Sequence, residues 1–162
     1  MKFKSLIFDL DGTLLNTIDD LADSLNYALE QNNLPTYTVN QVKYFVGSGI
    51  KVMIERALVD NMNYFNDVYN IFLEHYNKNS MNKTALYPNV RETIEKLHKL
   101  GVKMAIVSNK YQQGVETICV PLLGDIIEVM VGEQPGLDKN LVVIWLIMRL
   151  IKWELINQHV PM

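Results

Sequence analysis

At 162 residues the chain has room for one ordinary domain, or for a small core carrying an insertion. Its 49% hydrophobic and 20% charged content is that of a soluble globular protein. A net charge of −3 argues against general nucleic-acid binding, so an anionic substrate must be met by local positive groups.

The single cysteine, Cys119, excludes an internal disulfide and fits a reducing, cytoplasmic setting. Lys2 and Lys4 precede apolar residues, but Asp9 and Asp11 break that run too early for a secretion signal. Leu141 to Met148 is wholly apolar, yet its length falls well short of the ~20 residues needed to span a bilayer. No membrane segment is expected.

The first predicted element is a strand. Phe3-Lys4-Ser5-Leu6-Ile7-Phe8 contains a short apolar run with aromatic and β-branched members. It ends abruptly in Asp9-Leu10-Asp11-Gly12-Thr13. In an open α/β sheet, ligands collect at the carboxyl ends of strands. Along extended chain Asp9 and Asp11 point to the same side. Gly12 permits a sharp turn and a close approach of backbone N–H groups to an anion. Two carboxylates and exposed amides at one strand end suit a cation and a phosphate, although Asp-Gly alone also marks an ordinary turn. A calcium loop starting at Asp9 is excluded, because it wants an acid where Thr13 stands and glycine where Leu14 stands.

Leu14, Ile18, Leu21, Leu25 and Leu29 recur at threes and fours, predicting a helix over 14–32 with Asp19, Asp20, Asp23 and Glu30 on its other faces. Asn32-Asn33-Leu34-Pro35 ends it. Thr38 is placed to cap a short helix over 39–46, and Gly47-Ser48-Gly49 interrupts before helical runs over 50–60 and 64–77. Residues 15–84 therefore read as a helical insertion without a strand. Strand and helix then alternate. Asn89 is the expected cap of a helix ended by Gly101. A second strand over 102–107 ends in Ser108-Asn109-Lys110; a helix over 112–122 and a third strand over 126–131 follow. Strands joined through helices imply a parallel sheet with right-handed crossovers, which brings the ends of the first two strands to one edge. Asp9 and Ser108 are expected to meet there.

Phe8-Asp9-Leu10-Asp11-Gly12-Thr13-Leu14 after a strand closely resembles the first motif of the haloacid dehalogenase superfamily of phosphohydrolases. Ser108 at the end of the second strand matches the second motif, a strand ending in Ser or Thr. The insertion resembles the helical cap of one superfamily branch. Phe45-Val46-Gly47-Ser48-Gly49, Glu55-Arg56-Ala57-Leu58, Tyr87-Pro88-Asn89-Val90 and Leu100-Gly101-Val102 are in the style of the phosphoglycolate phosphatase group. The resemblance implies a Rossmann-like α/β core over 1–14 and 85–139, a helical cap over 15–84 and an aberrant tail over 140–162. It implies Asp9 as nucleophile, Asp11 as general acid and base, and Mg2+ held by Asp9 and Asp11. Phosphate would be bound by Gly12, Thr13, Ser108, Asn109 and Lys139, and the leaving group selected by Gly47, Ser48, Gly49 and Arg56. A small phosphorylated metabolite is the implied partner, through phosphoglycolate-like ester hydrolysis. Pyrophosphatase or sugar-phosphate phosphatase activity, or a non-catalytic remnant, are the alternatives.

The pattern departs from the family near its end. The third motif is a lysine before proline, and Lys139 is followed by Asn140. The fourth, a Gly-Asp pair with another Asp soon after, is not supplied by Gly124-Asp125, which precedes the third strand. Reading the back-translated codons from their third base beyond Lys139 permits Lys-Pro, two further residues and Asp-Met-Val. A frameshift near Lys139, with Asn140 to Met162 out of frame, an incomplete sheet and impaired turnover, is the expectation.

Overall fold

The computed structural model describes residues 5–127, 129–134 and 136. Lys139 and the expected tail over 140–162 lie outside the described residues. The apolar run near the start forms β1 (Ser5–Phe8), and a tight turn carries the chain into a two-residue strand, β2 (Leu15–Asn16). Four helices follow: α1 (Ile18–Gln31), α2 (Val39–Val42), α3 (Ile50–Leu58) and α4 (Phe65–Asn79), with a 3₁₀ turn (Met62–Tyr64) before the last. The chain returns through β3 (Ala85–Leu86) to α5 (Val90–Lys99), β4 (Lys103–Tyr111), α6 (Gln112–Leu123) and β5 (Val129–Glu133).

The sheet has the order β1-β4-β5 and both pairings are parallel, with Phe8 opposite Ile106 and Ile106 opposite Met130. Parallel neighbours need long crossovers, which the helical insertion with α5 and then α6 provide. Side chains alternate between the two faces of the sheet. Leu6, Phe8, Met104, Ile106 and Met130 pack into the main apolar cluster, while Ala105, Val107, Val129 and Val131 form a second, smaller one. β1 is an edge strand among the described residues, and Ile7 upon it is 42% exposed.

Inside the insertion, α1 packs along α4 through an apolar stripe. Leu21, Leu25, Ala28 and Leu29 of α1 meet Met53, Ile54, Ala57 and Leu58 of α3 and Val68, Phe72 and Tyr76 of α4, all buried. Thr38 caps α2 as expected, in a reciprocal capping box: its hydroxyl accepts from the Gln41 N–H and its own N–H donates to Gln41 Oε1.

Several expectations need correction. The span 15–84 is not purely helical, since Leu15–Asn16 pairs antiparallel with Ala85–Leu86 and closes the root of the insertion. Strands of two residues have no period to read. Asp20 does not sit on a solvated face; it is buried, and its carboxylate accepts from the backbone N–H groups of Lys83 and Thr84 at 2.8–3.0 Å. Asn89 makes no side-chain cap and instead holds a left-handed φ of 66°. β4 runs on to Tyr111, past the polar triplet where an end was expected, with an irregular register after Val107. The third strand begins at Val129, because the N–H groups of Ile126 and Ile127 turn back to the Leu123 carbonyl. Among the described residues no helix is long and apolar enough to cross a membrane.

Candidate active site

The turn after β1 is built around Leu10, which is wholly buried. Its carbonyl accepts from the N–H groups of Thr13, Leu14 and Leu15, and the Gly12 N–H donates to the Leu15 carbonyl. This folds Leu10 to Leu15 into a compact knuckle. Gly12 sits at φ 79°, a conformation that favours glycine. The knuckle projects Asp9 and Asp11 beyond the strand end, where Asp9 is exposed and Asp11 partly so. Asp9 Oδ1 accepts only from the neighbouring Leu10 N–H at 2.8 Å among the described residues, which fixes the carboxylate without covering it.

Asp11 is held more firmly. Its Oδ1 accepts from the Thr17 hydroxyl at 2.7 Å and lies 3.2 Å from Lys110 Nζ. Lys110 is itself 5% exposed and donates to the Tyr76 hydroxyl at 2.9 Å, with its Nζ 4.9 Å from the centre of that ring. Burial opposes the charge of Lys110, but the Tyr76 oxygen and the Asp11 carboxylate outweigh it and hold the ammonium above its ordinary pKa. Burial likewise pushes the Tyr76 hydroxyl up. The Cys119 thiol is driven by burial to about 12, which leaves it inert as a nucleophile.

Asp9, Asp11, Thr17 and Lys110 line a cavity of about 530 Å³ between the sheet and the insertion. Its floor includes Asp9, Asp11, Gly12, Ser108, Asn109 and Lys110; its roof includes Lys43, Val46, Gly47, Gly49 and Met53. Asp9 and Ser108, far apart in the chain, thus reach the same cavity. Ser108 Oγ accepts from the Lys110 N–H at 3.1 Å. Asn109 extends its side-chain amide across to the Gly47 carbonyl at 3.0 Å, joining sheet edge to roof. Gly49, at φ 91°, lies so close to Asn109 and Glu133 that an added Cβ would stand 3.1 Å from Glu133 Oε2 and 3.3 Å from the Asn109 carbonyl.

Three of the residues assigned to the site stand apart from the lining. Thr13 is exposed, with its N–H spent on the knuckle. Ser48 is exposed at the tip between the two glycines. Arg56 donates Nη1 to the Phe45 carbonyl at 2.9 Å, bracing the roof from outside the cavity. Lys139 lies outside the described residues. Conversely, Thr17, Lys43, Lys110 and Tyr87 line the cavity and were not assigned. The signal for Lys110 was present, a lysine directly after the Ser-Asn pair at a buried strand end.

The oxygen donors at the knuckle, the Asp9 carboxylate and the Asp11 backbone carbonyl, suit a hard divalent cation such as Mg2+, which keeps several waters and takes few protein ligands. Among the described residues no group of three or more His, Cys, Asp or Glu could hold a metal. The donor type fits and the described set is small.

A family model of haloacid dehalogenase-like hydrolases matches residues 6–138. A phosphoglycolate phosphatase from Haemophilus influenzae is 39% identical over 126 residues, covering 72% of this chain and 56% of that protein. One from Aliivibrio fischeri is 34% identical over 120 residues, covering 69% and 53%. The crystal structure of a predicted phosphoglycolate phosphatase from Haemophilus somnus superposes with a TM-score of 0.80 at 34% identity, covering 85% of this chain and 66% of that one. The chain spans about half the length of the curated relatives it matches.

Proposed function

The chain belongs to the haloacid dehalogenase-like hydrolases, and from that premise we propose that it is a phosphatase acting on a small phosphate monoester such as 2-phosphoglycolate. The observation that carries the reading is the convergence of Asp9, Asp11 and Ser108 on one roofed cavity.

Asp9 has the exposure a nucleophile needs. Its carboxylate oxygen attacks phosphorus, the bond from phosphorus to the ester oxygen breaks, and the departing oxygen takes a proton from Asp11. In the second step a water oxygen attacks the aspartyl-phosphate, Asp11 takes its proton, and phosphate leaves with the Asp9 carboxylate restored. The Ser108 hydroxyl and the Asn109 backbone N–H, at the neighbouring strand end, would hold phosphoryl oxygens. Mg2+ bound by the Asp9 carboxylate and the Asp11 carbonyl would screen the repulsion between nucleophile and phosphate. The insertion serves as a cap that excludes water, with Gly47 and Gly49 over the leaving group. Action on a soluble metabolite fits a cytoplasmic location.

Phosphate release from a panel of 2-phosphoglycolate, sugar phosphates and pyrophosphate, with and without Mg2+, tests the reading. Turnover of 2-phosphoglycolate that disappears with chelator supports it; no release from any ester contradicts it. A second reading, phosphate binding without turnover, rests on the departure of the sequence from the family pattern after Lys139, where Asn140 stands in place of proline. It predicts binding of phosphate with no release from esters.

A further inference from the structure

We propose that Lys110 is a positioning residue for the proton donor Asp11, and that Tyr76 of the helical insertion holds Lys110 in that role; this rests on the phosphatase reading above. Lysine is among the residues least often buried, because its ammonium loses its hydration. Here the Lys110 side chain is only 3% exposed, and every polar contact it makes is aimed at one end. Nζ lies 3.2 Å from Asp11 Oδ1 and 2.9 Å from the Tyr76 hydroxyl, against the face of the Tyr76 ring.

The consequence for Asp11 is geometric. Thr17 and Lys110 both engage Oδ1, and among the described residues neither engages Oδ2. The carboxyl group is therefore pinned by one oxygen while the other is left to exchange a proton. As the ester bond breaks, that proton passes to the departing oxygen and negative charge grows on Asp11. A fixed ammonium beside Oδ1 meets this charge without having to reorganise. Tyr76 is fully buried on α4, so the cation is anchored from the insertion rather than from the sheet alone. Its neighbour Asn77 accepts from the Tyr111 hydroxyl, a second tie between α4 and the end of β4. The orientation of the proton donor is thereby linked to the seating of the insertion.

Leaving-group dependence tests this, because an alkoxide needs the proton and p-nitrophenolate does not. The full chain and its Lys110→Met and Tyr76→Phe variants are assayed on 2-phosphoglycolate and on p-nitrophenyl phosphate, reading kcat/KM, which includes departure of the leaving group. Lys110→Met is expected to lose about 100-fold on 2-phosphoglycolate, and at least about ten times less than that on p-nitrophenyl phosphate. Tyr76→Phe removes only the hydroxyl that holds the ammonium, and should show the same asymmetry at about tenfold. A melting curve measured alongside reports whether either variant has lost its fold. Equal losses on both esters in folded Tyr76→Phe, or no loss, overturn the assignment of Lys110. Turnover of neither ester by the unmodified chain overturns the phosphatase reading and the assignment with it.

Discussion

The interior of the helical insertion and the joint that fastens it to the sheet are built from different chemistry. Between α1, α3 and α4 the buried residues are apolar apart from Ser24, whose hydroxyl meets His75 Nδ1 at 3.0 Å, and Leu25, Ile54 and Phe72 are wholly enclosed. The other buried polar residues, Thr17, Asp20, Ser80, Thr84 and Lys110, lie at the start of α1, just after α4, or at the end of β4. The interior is held by area removed from water, which tolerates sliding and repacking. The joint is held by directed bonds, which fix orientation and leave a costly orphan when one partner goes. Asp20 ties α1 to the linker at Lys83 and Thr84, and Lys110 joins α4 to Asp11. Orientation is needed where the reacting groups must be aimed, and the directed bonds are concentrated there.

That contrast can be tested from its strongest point downward. Asp11→Asn keeps the shape of the joint but removes the proposed proton donor, and should cost about 10²–10⁴-fold in kcat/KM on an alkyl phosphate with little change in melting temperature. Phe72→Ala should do the reverse. A cavity in the apolar interior is expected to cost about 3–5 kcal/mol in urea denaturation, while any chain that remains folded keeps its leaving-group preference. Asp20→Ala removes the acceptor of the Lys83 and Thr84 backbone N–H groups and is expected to cost about 2–3 kcal/mol, with earlier proteolysis in the 80–86 linker. Gly49→Ala tests the roof: strain at its left-handed backbone and contact with Asn109 should raise KM about tenfold, more than kcat falls.

The smallest expected effect lies far from the site. Hydrogen bonding to Arg91 holds the Asp125 carboxyl below its ordinary range. A depressed folded value means the pair supports folding above the unfolded pKa of about 4, and that support is lost as pH falls through the folded value. Asp125→Asn should remove that slight acid dependence of the melting temperature. The pair is exposed and leaves neutral-pH stability nearly unchanged.

Much of this was legible in the residues because it depends on contiguous strings or on topology. Asp9, Asp11 and Gly12 follow an apolar strand in a single run, and parallel alternation alone brings Ser108 to their edge. The joint was less legible. Asp20 lies on an amphipathic helix among Asp19 and Asp23, and nothing local separates a carboxylate that faces solvent from one that gathers backbone N–H groups across the fold. Lys110 stands in the sequence only as the last of a polar triplet at a strand end, and its burial depends on α4, which covers it from far along the chain. Pairings as short as Leu15–Asn16 with Ala85–Leu86 leave no periodic trace. Thr13 and Arg56 enter the site from resemblance alone; the Thr13 N–H donates within the knuckle and Arg56 donates to the Phe45 carbonyl.

Asp9, at the end of β1, is proposed as the nucleophile that takes up the phosphoryl group. Acid-quenching the full chain during turnover of 2-phosphoglycolate with Mg2+, followed by peptide mass spectrometry, addresses it directly. The account predicts a phosphoryl group on the peptide carrying Asp9, lost on treatment with hydroxylamine and absent in Asp9→Asn. Phosphate release with the phosphoryl group on another residue, or undiminished release by Asp9→Asn, would contradict it.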